Sequence, residues 1–306
     1  MIDSAMAFAQ VVSLSGQWKF RIGDDPHYSA VEWDDSKWKN IYAPTAWEEE
    51  GYNGYDGFAW YRKKFDGHEL DKSESYILNL GFIDDCDEIY LNGHLIGFSG
   101  SMPPNFKTAY NSERKYAIPQ EAINFQGANT IAIRVFDVTQ GGGIIDGRIG
   151  IYEAERNHLL LNLQGVWSFI KEDQHEATGD WKKINVPGPW EHQGYYKYDG
   201  FARYKRTFTL PKDFTNEPLI LLLGRIDDFD KTYLNGQSIG TTNDHREYGD
   251  SESFSKLRAY PIPEKFLKRN AVNTIEVVVE DMGNIGGIYE GPIGITTSEL
   301  YRKYFK

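Results

Sequence analysis

The sequence predicts an all-β protein built of two tandem β-sandwiches. Three observations carry this. One long series of motifs occurs twice, and each copy breaks into short apolar-alternating runs punctuated by Gly-, Asn- and Asp-rich turns. Helical periodicity is scarce.

The repeat runs along nearly the whole chain. Leu14-Ser15-Gly16-Gln17-Trp18-Lys19-Phe20 returns as Leu163-Gln164-Gly165-Val166-Trp167-Ser168-Phe169. Pro44, Trp47, Gly51 and Tyr55-Asp56-Gly57-Phe58-Ala59 return as Pro187, Trp190, Gly194 and Tyr198-Asp199-Gly200-Phe201-Ala202. Ile83-Asp84-Asp85 and Tyr90-Leu91-Asn92-Gly93 return as Ile226-Asp227-Asp228 and Tyr233-Leu234-Asn235-Gly236. The offset is 149 residues at Trp18 but 143 at Trp47, so the first copy carries six extra residues near Trp33. The expected domains are 10–155 and 160–306, joined between Glu153 and Leu160.

Each copy reads as strands. Asn92-Gly93 between Glu88–Leu91 and His94–Gly97 predicts a two-residue hairpin, because a type I′ turn needs positive φ at both central positions. Asn235-Gly236 repeats it. Tyr76–Leu80 and Leu219–Leu223 read as buried strands, and Thr274–Glu280 places Ile275, Val277 and Val279 on one face. One short helix is expected from Ser298, as N-cap, with Leu300, Tyr301 and Tyr304 along it.

Composition narrows the function. The 306 residues carry a net charge of −12, which speaks against nucleic acid or an anionic membrane as the main partner. One Cys excludes an internal disulfide and a multi-Cys zinc site, and the 7 His hold no i, i+4 pair. No apolar run approaches the roughly 20 residues of a membrane span. Ala7-Phe8-Ala9 fits the small-residue pattern of a signal cleavage site, so a periplasmic or secreted location is expected. Aromatic residues make up 15% of the chain, which suits sugar-binding surfaces as well as β cores.

Trp60-Tyr61-Arg62-Lys63-Lys64-Phe65, Ile83 through Gly97, Arg114 through Pro119, and Asn129 through Val135 with its following Gly-Gly loop come in an order that resembles the sugar-binding domain of family 2 glycoside hydrolases, the β-galactosidase type. Arg225 through Asp230 and Asp281 through Gly287 are also similar to the inserted β-domain of sialate O-acetylesterases. The resemblance implies a galactose-binding-like jelly roll in each half, with the Tyr-Asp-Gly-Phe loop and the loop after the Asn-Thr-Ile strand near the sugar. The catalytic barrel of that family finds no counterpart in two copies of one β-domain. The expectation is therefore a non-catalytic carbohydrate-binding protein acting in glycan breakdown. One alternative is a scaffold subunit docking to a separate glycosidase chain, with Leu300, Tyr301, Tyr304 and Phe305 as contacts. Another is a glycosidase or esterase using carboxylates such as Asp56, Asp137 and Asp199.

The candidate ligand-binding residues are Trp47, Tyr55, Asp56, Trp60, Asp137 and Asp146 in the first copy, and Trp190, Tyr198, Asp199, Arg203, Asp281 and Glu290 in the second. Aromatic faces would take sugar C–H faces, and carboxylates and guanidinium would take hydroxyls. Trp60 is expected to be half-exposed, because the other copy has Arg203 there. Trp18 and Trp167 are expected in the core, and Trp38 and Trp181 under a loop. The Asp-rich strings 84–87 and 227–230 are read as strand-end turn formers rather than calcium ligands, since neighbours in a strand point to opposite faces. No cofactor is expected, although a structural calcium elsewhere in either sandwich stays open. Gly249-Asp250-Ser251 resembles an esterase nucleophile motif but follows no buried strand, so no catalytic residue is assigned.

Overall fold

The computed structural model describes residues 9–154, 158–173, 176–211, 214–244 and 252–306. Ala7 and Phe8 of the cleavage-like motif, and all of Gly249-Asp250-Ser251, lie outside the described residues. The chain divides into two units, Met1–Arg156 and Asn157–Lys306.

The first unit contains β1 (Gln10–Ser13), β2 (Gly16–Ile22), β3 (Lys39–Ala43), β4 (Gly57–Asp66), β5 (Tyr76–Asp84), β6 (Cys86–Leu91), β7 (His94–Ser99), β8 (Glu113–Ile118), β9 (Ala128–Asp137) and β10 (Gly143–Glu153). These form a six-stranded sheet, β3-β2-β4-β9-β6-β7, and a four-stranded sheet, β1-β10-β5-β8. The second unit contains β11 (Leu161–Asn162), β12 (Gly165–Asp173), β13 (Glu176–Val186), β14 (Gly200–Thr209), β15 (Leu219–Asp227), β16 (Phe229–Leu234), β17 (Gln237–Thr242), β18 (Leu257–Ile262), β19 (Val272–Asp281) and β20 (Gly287–Thr297). Its sheets are β13-β12-β14-β19-β16-β17 and β11-β20-β15-β18, the same arrangement advanced by ten strands. The fold is all-β, a jelly-roll sandwich used twice.

The core of each unit lies between its two sheets and follows the two-residue period of the strands. Ile131, Ile133 and Val135 on β9 are buried with Trp18, Phe20, Leu80 and Ile151. Ile275, Val277 and Val279 on β19 do the same with Trp167, Phe169, Leu221 and Leu223. The expected core tryptophans are core: Trp18 and Trp167 are each 1% exposed. Their indole N–H groups are satisfied by the carbonyls of Leu14 at 2.9 Å and Leu163 at 2.8 Å. The Asn-Gly hairpins form as expected, with φ of 49° and 79° at Asn92 and Gly93, and 51° and 79° at Asn235 and Gly236.

Between β5 and β6 the chain leaves one sheet and enters the other. Asp85 is the single residue at that corner, and Asp228 occupies the matching corner between β15 and β16. Both corner bonds, Asp84–Asp85 and Asp227–Asp228, are cis. Beyond each corner lies a sealed polar network. Arg114 donates from Nε to Asp87 Oδ1 at 2.6 Å and from Nη2 to the carbonyls of Ile83 and Asp85, while Tyr116 donates to Asp87 Oδ2. Arg258, Asp230 and Tyr260 repeat it. Asp87 and Asp230 are thus structural, but as strand residues paired with a buried arginine and tyrosine rather than as the expected strand-end turn formers.

The C-terminal helix, α1 (Ser298–Tyr304), starts at the expected cap residue, and the cap lies one residue earlier. Thr297 is the N-cap, and its hydroxyl accepts from the Leu300 amide at 3.2 Å.

Candidate functional site

The two units differ most on the outer face of the six-stranded sheet. In the first unit 16 residues, 23–38, connect β2 to β3 and lie over that face. Tyr28, Trp33 and Trp38 pack on Trp60, Tyr90 and Ala132 as a small second core. Arg62 clamps the segment from below, with Nε 2.9 Å from Asp35 and Nη1 on the carbonyls of Tyr28 and Ala30. Trp60 is therefore 0% exposed, stacked on Tyr90 at 5.8 Å, with its indole N–H donated to Asp24. This corrects the expectation of a half-exposed Trp60. The exchange for Arg203 reflects a roof that one copy has and the other lacks.

In the second unit only residues 174–175 separate β12 from β13. Among the described residues nothing covers the corresponding face, which forms a groove of about 380 Å³ lined by Arg203, Phe201, Tyr233, Val278, Glu172 and Lys231 among others. Arg203 forms its floor, Nε 2.5 Å from Glu172 Oε1 and Nη1 3.2 Å from Glu276 Oε2. Glu276 also meets Lys205 at 3.7 Å, and the Lys205 ammonium lies 5.0 Å from the centre of the Trp181 ring. Trp181 is 42% exposed. It does not pack under a loop as expected; its counterpart Trp38 does, at 5% exposure. The face thus offers an exposed indole, a half-buried tyrosine and a line of alternating charged groups. Sequence reasoning chose Arg203 but missed Trp181 and Tyr233. The short β12–β13 connection was the available signal, since a missing cover exposes what the other copy buries.

The remaining candidates gather at one end of each sandwich, where they brace the loops. Trp47 and Trp190 are 0% exposed, so neither can stack on a sugar. Trp47 donates from its indole to the Tyr55 carbonyl at 3.0 Å, and Trp190 to that of Tyr198 at 3.0 Å. The Tyr55 and Tyr198 hydroxyls each donate back to a carbonyl three residues on, those of Phe58 and Phe201. Asp146 lies in an irregular stretch of β10 and accepts from the next amide, Gly147. Glu290 pairs with Arg225 across the β15–β20 ladder. Asp56 and Asp199 are exposed.

Asp137 is brought to this end too, opposite Gly57 in the β4–β9 ladder, but it is 0% exposed. Together with Asp84 and Asp85 it forms a cluster in which one carboxylate oxygen from each residue lies within 4.8 Å of the other two. Asp281, 2% exposed, joins Asp227 and Asp228 in the same way. Neighbours point to opposite faces only inside a strand. Asp85 and Asp228 stand at sheet-to-sheet corners, so the sequence argument against clustering does not apply there. Burial first, and then the Asp85 charge, raise the Asp84 carboxyl to about 6. Burial raises Asp137 to about 7, opposed by the Thr139 amide and reinforced by Asp84, Asp85 and Asp56. Asp227 and Asp281 are raised to about 7 by burial first, with Asp228 beside each. Three clustered carboxylates, with Asp85 and Asp137 buried in the first unit and Asp281 in the second, are a hard-oxygen donor set suited to Ca²⁺ or Mg²⁺.

Known proteins share the fold of these units. Residues 177–285, inside the second unit, match the family model described as the beta-galactosidase second all-beta domain. The β-galactosidase-type resemblance holds. A curated protein of Formosa agariphila, provisionally named a beta-glucuronidase, is 27% identical over 135 residues. That stretch is 40% of this chain and 12% of the relative. Among solved structures, a Bacteroides uniformis beta-glucuronidase is 18% identical over 82% of this chain and 27% of its own, with a TM-score of 0.41. A glycosyl hydrolase family 2 member from Bacteroides cellulosilyticus is 14% identical over 88% of this chain and 31% of its own, with a TM-score of 0.39. The chain thus spans less than a third of the length of these relatives. What it shares with the β-galactosidase type is an all-β domain. Among the described residues, no helix is long and apolar enough to cross a membrane.

Proposed function

We propose that the chain is a non-catalytic carbohydrate-binding protein whose binding surface is the open outer face of the second unit's six-stranded sheet. The observation that carries this is the groove of about 380 Å³ on that face, whose Arg203 is linked through Glu276 and Lys205 to the exposed Trp181 ring. Its size suits one or two sugar rings. Indole and phenol faces take sugar C–H faces, and half-exposed Arg203, Glu276 and Lys205 offer donors and acceptors to hydroxyls. Ordered charged pairs that are already oriented bind at a smaller entropic cost than free side chains. The groove's carboxylates accompany its cations, which favours a neutral sugar chain. The beta-glucuronidase names of the relatives make glucuronate-bearing oligosaccharides the second class to test. In this reading the protein works in glycan breakdown, exported, and alongside a glycosidase chain.

The enzyme alternative gains nothing from the geometry. Asp137, whose carboxyl is raised to about 7 by burial, is sealed from any substrate.

Calorimetry of the full chain with galactosides, xylosides and glucuronate oligosaccharides tests the proposal. Binding to one of these is expected, with at least tenfold weakening in Trp181→Ala and none in Asp56→Asn. Absence of heat with all three classes at millimolar sugar overturns it.

A further inference from the structure

We propose that each unit holds a divalent cation of the calcium type at its corner, between Asp84, Asp85 and Asp137 in the first unit and between Asp227, Asp228 and Asp281 in the second. This site is separate from the groove and independent of the sugar-binding reading.

Two observations meet here. The first is spacing. One carboxylate oxygen from each member of a trio lies within 4.8 Å of those of the other two, no farther apart than two oxygens on opposite sides of one ion at about 2.4 Å each. The second is an unanswered buried atom in each trio. Asp137 is 0% exposed; its Oδ1 accepts a long contact from the Thr139 amide at 3.5 Å, and its Oδ2 has no partner. Asp281 is 2% exposed; its Oδ1 accepts from the Gly283 amide at 3.2 Å, and its Oδ2 has no partner. A buried carboxylate oxygen without a donor is costly, so something has to neutralise it.

The nearby guanidinium groups do not. Arg114 gives Nε to Asp87 and its other donors to the carbonyls of Ile83, Asp85, Ala109 and Ser112. Arg258 is committed likewise to Asp230 and to backbone carbonyls. Asp85 is held in place by the Val138 amide and the Thr108 hydroxyl, which orient its carboxylate and leave lone pairs free for a metal. Asp228 accepts from the Met282 amide in the same manner. Asp84 and Asp227 are only half-buried, which gives an ion a path from solvent. With oxygen donors alone, the set suits a hard cation and not zinc or copper.

The test is calcium titration of the full chain after chelation, read by calorimetry and by metal content after gel filtration. Two ions per chain are expected, with a rise in melting temperature. Asp137→Asn and Asp281→Asn each reduce the count to one, and the pair together abolish binding. Should either buried substitution fail to fold, Asp84→Asn and Asp227→Asn at the half-buried positions give the same count. Absence of heat, of bound metal and of thermal shift at millimolar Ca²⁺ overturns the proposal and means the trios are neutralised by protons. Two ions that persist in all four variants place the cation elsewhere and overturn it equally.

Discussion

Trp60 Nε1 lies 3.0 Å from Asp24 Oδ1, and the same carboxylate also accepts from Arg134 Nε at 2.9 Å. Asp24 opens the connection that roofs the first unit's outer sheet face. One acid therefore fixes both the strand beneath, through Trp60 on β4 and Arg134 on β9, and the segment above. The second unit has Arg203 and Val278 at the matching ladder positions and no such segment. The repeat has kept one scaffold and given its outer face two different fates.

Stability and exposure should therefore part company between equivalent faces. Truncating Trp60, fully buried among Tyr28, Tyr90 and Ala132, is expected to cost about 3–5 kcal/mol. Trp181→Ala, at a position 42% exposed, should change stability by less than about 1 kcal/mol while weakening sugar binding. Urea melts of the two variants check this. Equal losses would mean that Trp181 is as enclosed as Trp60.

The buried ion pairs make a sharper demand. Arg114 and Asp87 side chains are both 0% exposed, as are Arg258 and Asp230. Asp87→Ala would strand a guanidinium in the interior and is expected to cost about 3–5 kcal/mol, more than the pair itself contributes. Asp230→Ala should do the same to the second unit. Denaturation followed by intrinsic fluorescence reads both. A loss under about 1 kcal/mol would show that water reaches the arginine.

Much of this was legible in the sequence. The repeat, the Asn-Gly hairpins, the β9 and β19 faces and the core role of Trp18 and Trp167 all follow from period and turn chemistry, which are local. The site was less legible because burial depends on what covers a face. Trp47 and Trp60 look like binding residues until Gly142 and the 23–38 segment are seen against them. Trp181 reads as packed under a loop like its counterpart Trp38, and only the fold shows that Trp38 has that cover while Trp181 is exposed. The acidic trios draw on residues about fifty positions apart, such as Asp85 and Asp137, and no local pattern announces that a sheet-to-sheet corner brings them together.

The glycines under the loop tryptophans admit a direct check. A Cβ on Gly286 would fall 2.1 Å from Trp190 Cε2, and one on Gly142 would fall 2.2 Å from Trp47 Cζ2. Neither indole can retreat, because each is fully buried and tethered through its N–H to a loop carbonyl. Gly286→Ala is expected to destabilise the second unit by about 1–3 kcal/mol, the usual range for overpacking. Thermal melts measure it. An unchanged melting temperature would mean that the Gly-Gly loop moves off the tryptophan freely.

The acidic corners set the pH profile of the metal-free protein. Folding raises the carboxyl of Asp84 to about 6 and those of Asp137, Asp227 and Asp281 to about 7, each mainly by burial. An unfolded Asp titrates near 3.9. Between about pH 4 and pH 7 the folded protein therefore holds protons that the unfolded chain has already released. Stability must then fall as pH rises through this window. The contribution is fully present below about pH 4 and lost above about pH 7. Asp25, Asp66 and Asp71 are exposed acids lowered by backbone and side-chain hydrogen bonds from His27, His68 and Ser73, and they act in the opposite sense, but only below the window. In the presence of a chelator, urea midpoints should decline from pH 5 to pH 8, and Asp137→Asn with Asp281→Asn should flatten the decline. Saturating Ca²⁺ should remove most of it, because an ion stabilises the charged form that a proton otherwise relieves. A midpoint that rises with pH in chelator would contradict the buried, raised state of these carboxyls.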